Sequence, residues 1–248
     1  MMPSTGMPAE SPITSVAVAN AARRLALLRL GSPALPIGGY SYSQGLEAAI
    51  ERGWVCDEAS MQSWLYDLLE AGVGRFEAPL VHALAHAVGC GDDARAMRLH
   101  QRYVASRESA ELRAETLQMG RSLLMLLEGL DGLEAGVGEA ARAQLAADAP
   151  CALPLAWARA ARGLGLGPDE ALSAWLWAWL ENQVMAAMKA IPLGQQAGQR
   201  LFSALAPALA STAAAAATLA EDDWSSFAPG FAMASCWHAT QYSRLFRS

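Results

Sequence analysis

His82 and His86 lie four residues apart, the spacing that puts two imidazoles on one face of a helix and lets them share a metal ion. No third ligand stands beside them, so the pair reads first as a polar or half-buried helix face, and as a metal site only if the fold brings further donors to it. Cys236 and His238 flank Trp237. Their two-residue spacing sends them to different sides of a helix, which disfavours a shared chelate. Cys56, Cys90, Cys151 and Cys236 are scattered and include no CxxC pair, which fits a reducing cytoplasm better than a disulfide framework or a zinc site. GxxxxGK[ST], HExxH, the nucleophile elbow and an aspartate-rich helix motif are all missing from the sequence, so no common catalytic constellation is legible.

Binding chemistry is easier to place. Lys189 follows the apolar run Val184 to Met188 and precedes Pro192, as a cation completing the last turn of a helix or as a charge kept on an apolar surface for a partner. The last seven residues, Tyr242 to Ser248, hold two aromatics, a leucine and two arginines, the composition of interface anchors. If that tail is helical, Tyr242, Leu245 and Phe246 share a face, with Arg244 and Arg247 free to give charge-assisted hydrogen bonds. The alternative is a tail folded back on its own domain.

These groups need a scaffold, and the composition points to helices. The chain has 248 residues, 53% hydrophobic and 17% charged, enough for a substantial core and too apolar for a disordered protein. Alanine is abundant and β-branched residues are sparse, which favours helix. A net charge of −6 argues against nucleic acid or anionic lipid as the main partner. The most membrane-like stretch, 171–191, contains Glu181, Asn182, Gln183 and Lys189, which are costly together at bilayer depth.

Residues 1–20, with Pro3, Pro8 and Pro12 and no basic start, are expected to be a disordered leader. Helices are predicted near 20–30, from a capping box at Ser41 and Gln44 to Arg52, from Asp57 to Gly72, over 76–88, from Asp92 or Asp93, and over 107–129. Residues 131–149 read as a loop or a loosely held helix. Further helices are expected from Pro154 to Gly163, from Pro168 to Pro192, and over 194–210, 211–220 and 229–242. In the tryptophan-rich helix, Trp175 and Trp179 share a face with Leu172 and Leu176 while Trp177 points elsewhere, a pattern suited to core packing or a subunit interface. The whole predicts one all-α domain of about nine or ten helices over 21–241, followed by the tail 242–248.

Three segments carry a family resemblance: Leu27-Leu-Arg-Leu-Gly-Ser-Pro-Ala-Leu-Pro-Ile-Gly-Gly-Tyr-Ser-Tyr-Ser-Gln-Gly-Leu-Glu47, Ile191-Pro-Leu-Gly-Gln-Gln196 and Thr240-Gln-Tyr-Ser-Arg-Leu-Phe-Arg-Ser248. In this order they resemble the UreF family of urease accessory proteins, over roughly Leu25 to Ser248. The resemblance implies a cytoplasmic all-α homodimer without catalysis or cofactor of its own, acting with UreD (UreH) and the GTPase UreG to load nickel into apo-urease. Nickel is then cargo, and GTP belongs to UreG. It further implies that the tail residues Tyr242, Arg244, Leu245, Phe246 and Arg247 dock UreD/UreH, and that Lys189 and Gln195 belong to the surface facing UreG. A glutamate commonly follows the histidine of the last motif in that family, whereas Ala239 stands here, so no carboxylate is expected beside His238 from that position. The competing expectation is a metallochaperone that relays nickel through His82, His86, Cys236 or His238. A third, in which an arginine of this chain stimulates UreG, singles out no residue.

Overall fold

The computed structural model describes residues 12–248. Among them every regular element is helical: α1 Pro12–Leu30, α2 Leu46–Glu51, α3 Glu58–Leu68, a π-helical segment Leu69–Glu77, α4 Ala78–Cys90, α5 Asp93–Ala105, α6 Ala110–Glu128, α7 Val137–Ala146, α8 Leu153–Gly163, α9 Pro168–Ala190, α10 Gln195–Ala216 and α11 Pro229–His238, with short 3-10 turns at Gly39–Ser41 and Glu221–Asp223. The all-α single domain expected from composition is what the chain builds. α4 packs on α8 and α9, α6 on α8, and α10 on α9, around one continuous apolar core. Trp157 is the largest side chain wholly inside it, with its indole N–H donated to the Ala171 carbonyl at 2.9 Å. Gly120 lets α6 meet the chain before α8, since a Cβ there would stand 2.0 Å from the Cys151 carbonyl oxygen.

Local rules set many of the boundaries. Asp57 and Ser60 form a reciprocal capping box on α3, and Asp92 accepts from the Arg95 amide to open α5. Gly91 closes α4 in the left-handed conformation, at φ 73°. Glu170, in the first turn of α9, accepts from the Gly167 amide and pairs with Arg23 of α1, which holds its carboxyl below the ordinary range.

Several expectations are corrected. α1 begins at Pro12, so residues 12–20, read as part of a disordered leader, are helical, and the rest of the proposed leader lies outside the described residues. Proline is tolerated at the first helical position, and the following alanines and valines contain no breaker. Gly72 and Gly74 do not separate two helices. The backbone runs through them as a π segment that buries Leu69, Val73 and Phe76, so tertiary packing outweighs the glycine penalty. The break expected near 210 is also missing: α10 is continuous through Pro207, because alanine-rich sequence on both sides sustains the helix. Within 131–149 the chain forms α7, anchored by buried Val137 and Ala141.

The Ser41 and Gln44 capping box does not form. Gln44 has φ 55°, Gly45 at φ 78° is the N-cap of α2, and it is Ser43 whose hydroxyl accepts from the Glu47 amide at 3.3 Å. Gly45 must be glycine for a second reason, since a Cβ would meet the Ser235 hydroxyl and amide of α11 at 3.0 and 3.1 Å.

Candidate functional site

Among the described residues, an extended polar array joins the tail to the turn before α2. The Ser248 main-chain oxygen accepts from the Ser43 amide at 2.7 Å, the Ser43 hydroxyl at 2.6 Å and the Gln44 amide at 3.1 Å. The Arg247 amide donates to the Ser41 carbonyl at 2.8 Å. From the other side, α9 donates through Asn182 Nδ2 to the Tyr42 carbonyl at 3.0 Å and through Gln183 Nε2 to the Ser43 carbonyl at 3.2 Å. The turn is thus held between α9 and the tail.

Three glutamates receive the tail itself. Glu47 of α2, 7% exposed, accepts from the amides of Leu245 at 2.6 Å and Phe246 at 3.0 Å. Glu111, on the first turn of α6, accepts from Arg244 Nη1 at 2.6 Å. Glu115, one turn on, accepts from the Ser248 hydroxyl at 2.5 Å and from Gln44 Nε2 at 2.8 Å. Burial pushes the Glu115 carboxyl up to about 7, against the pull of those two hydrogen bonds.

His238, at the end of α11, lies wholly inside this cluster, with Nδ1 2.8 Å from Glu111 Oε2 and Nε2 3.1 Å from Glu47 Oε2. Both ring nitrogens face carboxylate oxygens, so the imidazole is engaged on both sides and neither nitrogen stands open to a metal. Ala239 supplies no carboxylate, as its type requires, yet His238 has two that arrive from α2 and α6.

The predicted anchors separate. The tail forms no helix, so Tyr242, Leu245 and Phe246 do not share a face: Phe246 is buried, Leu245 is 67% exposed and Tyr242 is fully exposed. Lys189, itself exposed, reaches over Phe246, its Nζ 5.1 Å from the ring centroid, and so brings the end of α9 to the tail. Arg247 and Gln195 are exposed, Gln195 as the first residue of α10. Trp175 and Trp179 are buried as their spacing predicts, and Trp177, 41% exposed, stacks on Phe202 of α10.

The proposed metal ligands stay apart. His82 Nε2 is 3.0 Å from Asp169 Oδ1, His86 lies beside Cys90, and exposed Cys236 faces the Glu108 carbonyl. No group of three or more His, Cys, Asp or Glu residues able to hold a metal ion exists among the described residues. No helix there is long and apolar enough to cross a membrane.

Glu47, Glu111 and Glu115 were missed in the sequence because acidic residues on amphipathic helices ordinarily face water. Two signals were available: Glu111 and Glu115 have the i, i+4 spacing of one helix face, and Glu47 closes the first resemblance segment.

Fold and site define an all-α, single-domain protein whose principal polar array grips a segment of its own backbone. A family model described as UreF matches residues 55–206. The urease accessory protein UreF of Azoarcus sp. (strain BH72) is 55% identical over 222 residues, covering 90% of this chain and 94% of that protein. Its counterparts in Azotobacter vinelandii (strain DJ / ATCC BAA-1303) and Ectopseudomonas mendocina (strain ymp) are 54% and 53% identical over 223 residues, each covering 90% of this chain and 98% of the relative. The chain belongs to the UreF family of urease accessory proteins.

Proposed function

We propose that this chain is a non-enzymatic, cytoplasmic scaffold for nickel insertion into apo-urease, docking UreD/UreH through its tail and UreG through the surface around Lys189 and Gln195. The observation that carries this reading is the tail's division of labour. Phe246 and the Ser248 oxygen fix the segment to the domain, and Tyr242 and Leu245 project outward. An apolar pair held out on an ordered backbone has already met the conformational cost of docking, which favours tight binding. Lys189 touches the same tail, so occupation of one surface is felt at the other. In this reading the protein acts as a homodimer, with the exposed side of α9, Trp177 and Met185 included, as the contact between copies.

A nickel relay within this chain has less support, since the proposed ligands are dispersed and the ring of His238 is fully engaged.

The test is a pull-down of purified UreD/UreH with the Tyr242→Ala, Leu245→Ala double variant. Binding weakens by at least about tenfold, because interface energy concentrates in such anchors, while the melting temperature stays near that of the wild type. Undiminished binding refutes docking through the tail. Phe246→Ala behaves differently, losing stability as well as binding, because that ring belongs to the core.

A further inference from the structure

The tail closes on a carboxyl group that receives no hydrogen bond from a cation among the described residues. Glu115 is 3% exposed, and its partners there are both neutral: the Ser248 hydroxyl at Oε2 and Gln44 Nε2 at Oε1. The other two glutamates at the tail are served differently. Glu111 of α6 has Arg244 of the tail and His238 of α11, and Glu47 of α2 has two tail amides and the same imidazole. Arg107, whose charge acts on Glu115 from the link between α5 and α6, gives its Nη1 to Glu77 at 2.7 Å. Glu77, on the π segment, acts on Glu115 with the opposite sign, and burial keeps the neighbouring phenol of Tyr103 on α5 neutral.

An ionised carboxylate taken out of water needs a cation or several strong donors, and two neutral donors leave it under-compensated. With the tail closed, Glu115 therefore holds its proton, in keeping with the upward push that burial gives it. Opening lifts the Ser248 hydroxyl from Oε2 and admits water, so the carboxyl ionises and one proton leaves. The same movement frees Gln44, a residue with a side chain held in the left-handed region at φ 55°, whose amide donates to the Ser248 oxygen at 3.1 Å. Backbone strain is thus stored in the closed turn and relaxes when the tail departs. The Tyr42 and Ser43 carbonyls beside it accept from Asn182 and Gln183, which carries the change to α9. We propose that the tail is a proton-dependent latch, closed while Glu115 carries its proton and released as the surroundings turn alkaline. The latch works in the free chain and does not depend on what the tail docks.

The test is hydrogen exchange of the full-length chain between about pH 5 and 8, with each amide's rate divided by its intrinsic rate at that pH. The amides of Ser43 and Gln44, whose acceptor is Ser248, and of Leu245 and Phe246, whose acceptor is Glu47, report the latch. Their protection falls by roughly 10- to 70-fold over this range, the upper figure following from a carboxyl at about 7 when closed and 4.5 when open. Most of the fall comes below about pH 7, and the profile then levels off. Glu115→Gln keeps an acceptor oxygen but has no proton to lose, and its profile is flat. Should it fail to fold, Glu115→Met, also uncharged and of similar length, takes its place. A flat wild-type profile overturns the proposal. So does a fall of equal size in the uncharged variant, which assigns the pH dependence to another group of the cluster.

Discussion

Replacing Glu47 by alanine isolates the tail's grip. The carboxylate serves the Leu245 and Phe246 amides and faces His238 Nε2, and both Phe246 and His238 are buried. If the tail stayed in place, each buried donor left without an acceptor would cost about 1–3 kcal/mol, or roughly 2–6 kcal/mol for the Phe246 amide and the imidazole together. The other response is release. Exposing the Phe246 ring forfeits about 2–3 kcal/mol of apolar burial, while the tail's hydrogen bonds pass to water and its chain entropy is regained. Release is therefore the cheaper course and caps the loss at about 2–3 kcal/mol, a fall in Tm of roughly 4–12 °C for a domain of this size. Hydrogen exchange resolves it by residue: the amides of Leu245, Phe246 and Arg247 lose protection, and so do those of Ser43 and Gln44, whose acceptor is Ser248. UreD/UreH binding falls in parallel, and Glu47→Gln, which keeps one acceptor oxygen, is milder. Unchanged exchange at Ser43 and Gln44 in Glu47→Ala would refute the clamp.

Glu115 makes stability depend on pH. Folded, it keeps its proton to about pH 7, against an ordinary value of 4.5, so the folded state binds more protons between those limits and stability falls as pH rises through them, by up to about 3 kcal/mol, then levels off. Melts of Glu115→Gln between pH 4.5 and 7 show a flatter profile than the wild type, and parallel profiles would count against a proton held there. Lys189→Ala moves Tm little, since an exposed cation over a ring contributes about 0.5–1 kcal/mol, but weakens UreG binding in a pull-down; normal binding removes Lys189 from the interface. His82→Ala with His86→Ala leaves urease activation in cells nearly intact, because the two rings engage separate partners; lost activation in a folded, partner-binding variant would revive a metal relay through α4.

What the sequence alone determined is what local physics controls. Alanine abundance and 3.6-residue periodicity are properties of single segments, so the all-α class, the Asp57 cap, a helix start at Asp92 or Asp93 and the two sides of the tryptophan helix were legible. Family membership was legible too, through three short segments far apart in the chain. Tertiary structure decided whatever depends on partners distant in sequence. The glycines at 72 and 74 look like a break until packing of Leu69, Val73 and Phe76 holds the chain in a π segment. The tail looks like a free interface strip until Glu47, Glu111 and Glu115 take its amides and side chains from more than a hundred residues away, turning Phe246 inward and leaving Tyr242 and Leu245 outside. A carboxylate has the same local preferences whether it meets water or a distant backbone N–H. Only the fold supplies the second partner, and with it the difference between a solvated charge and a clamp.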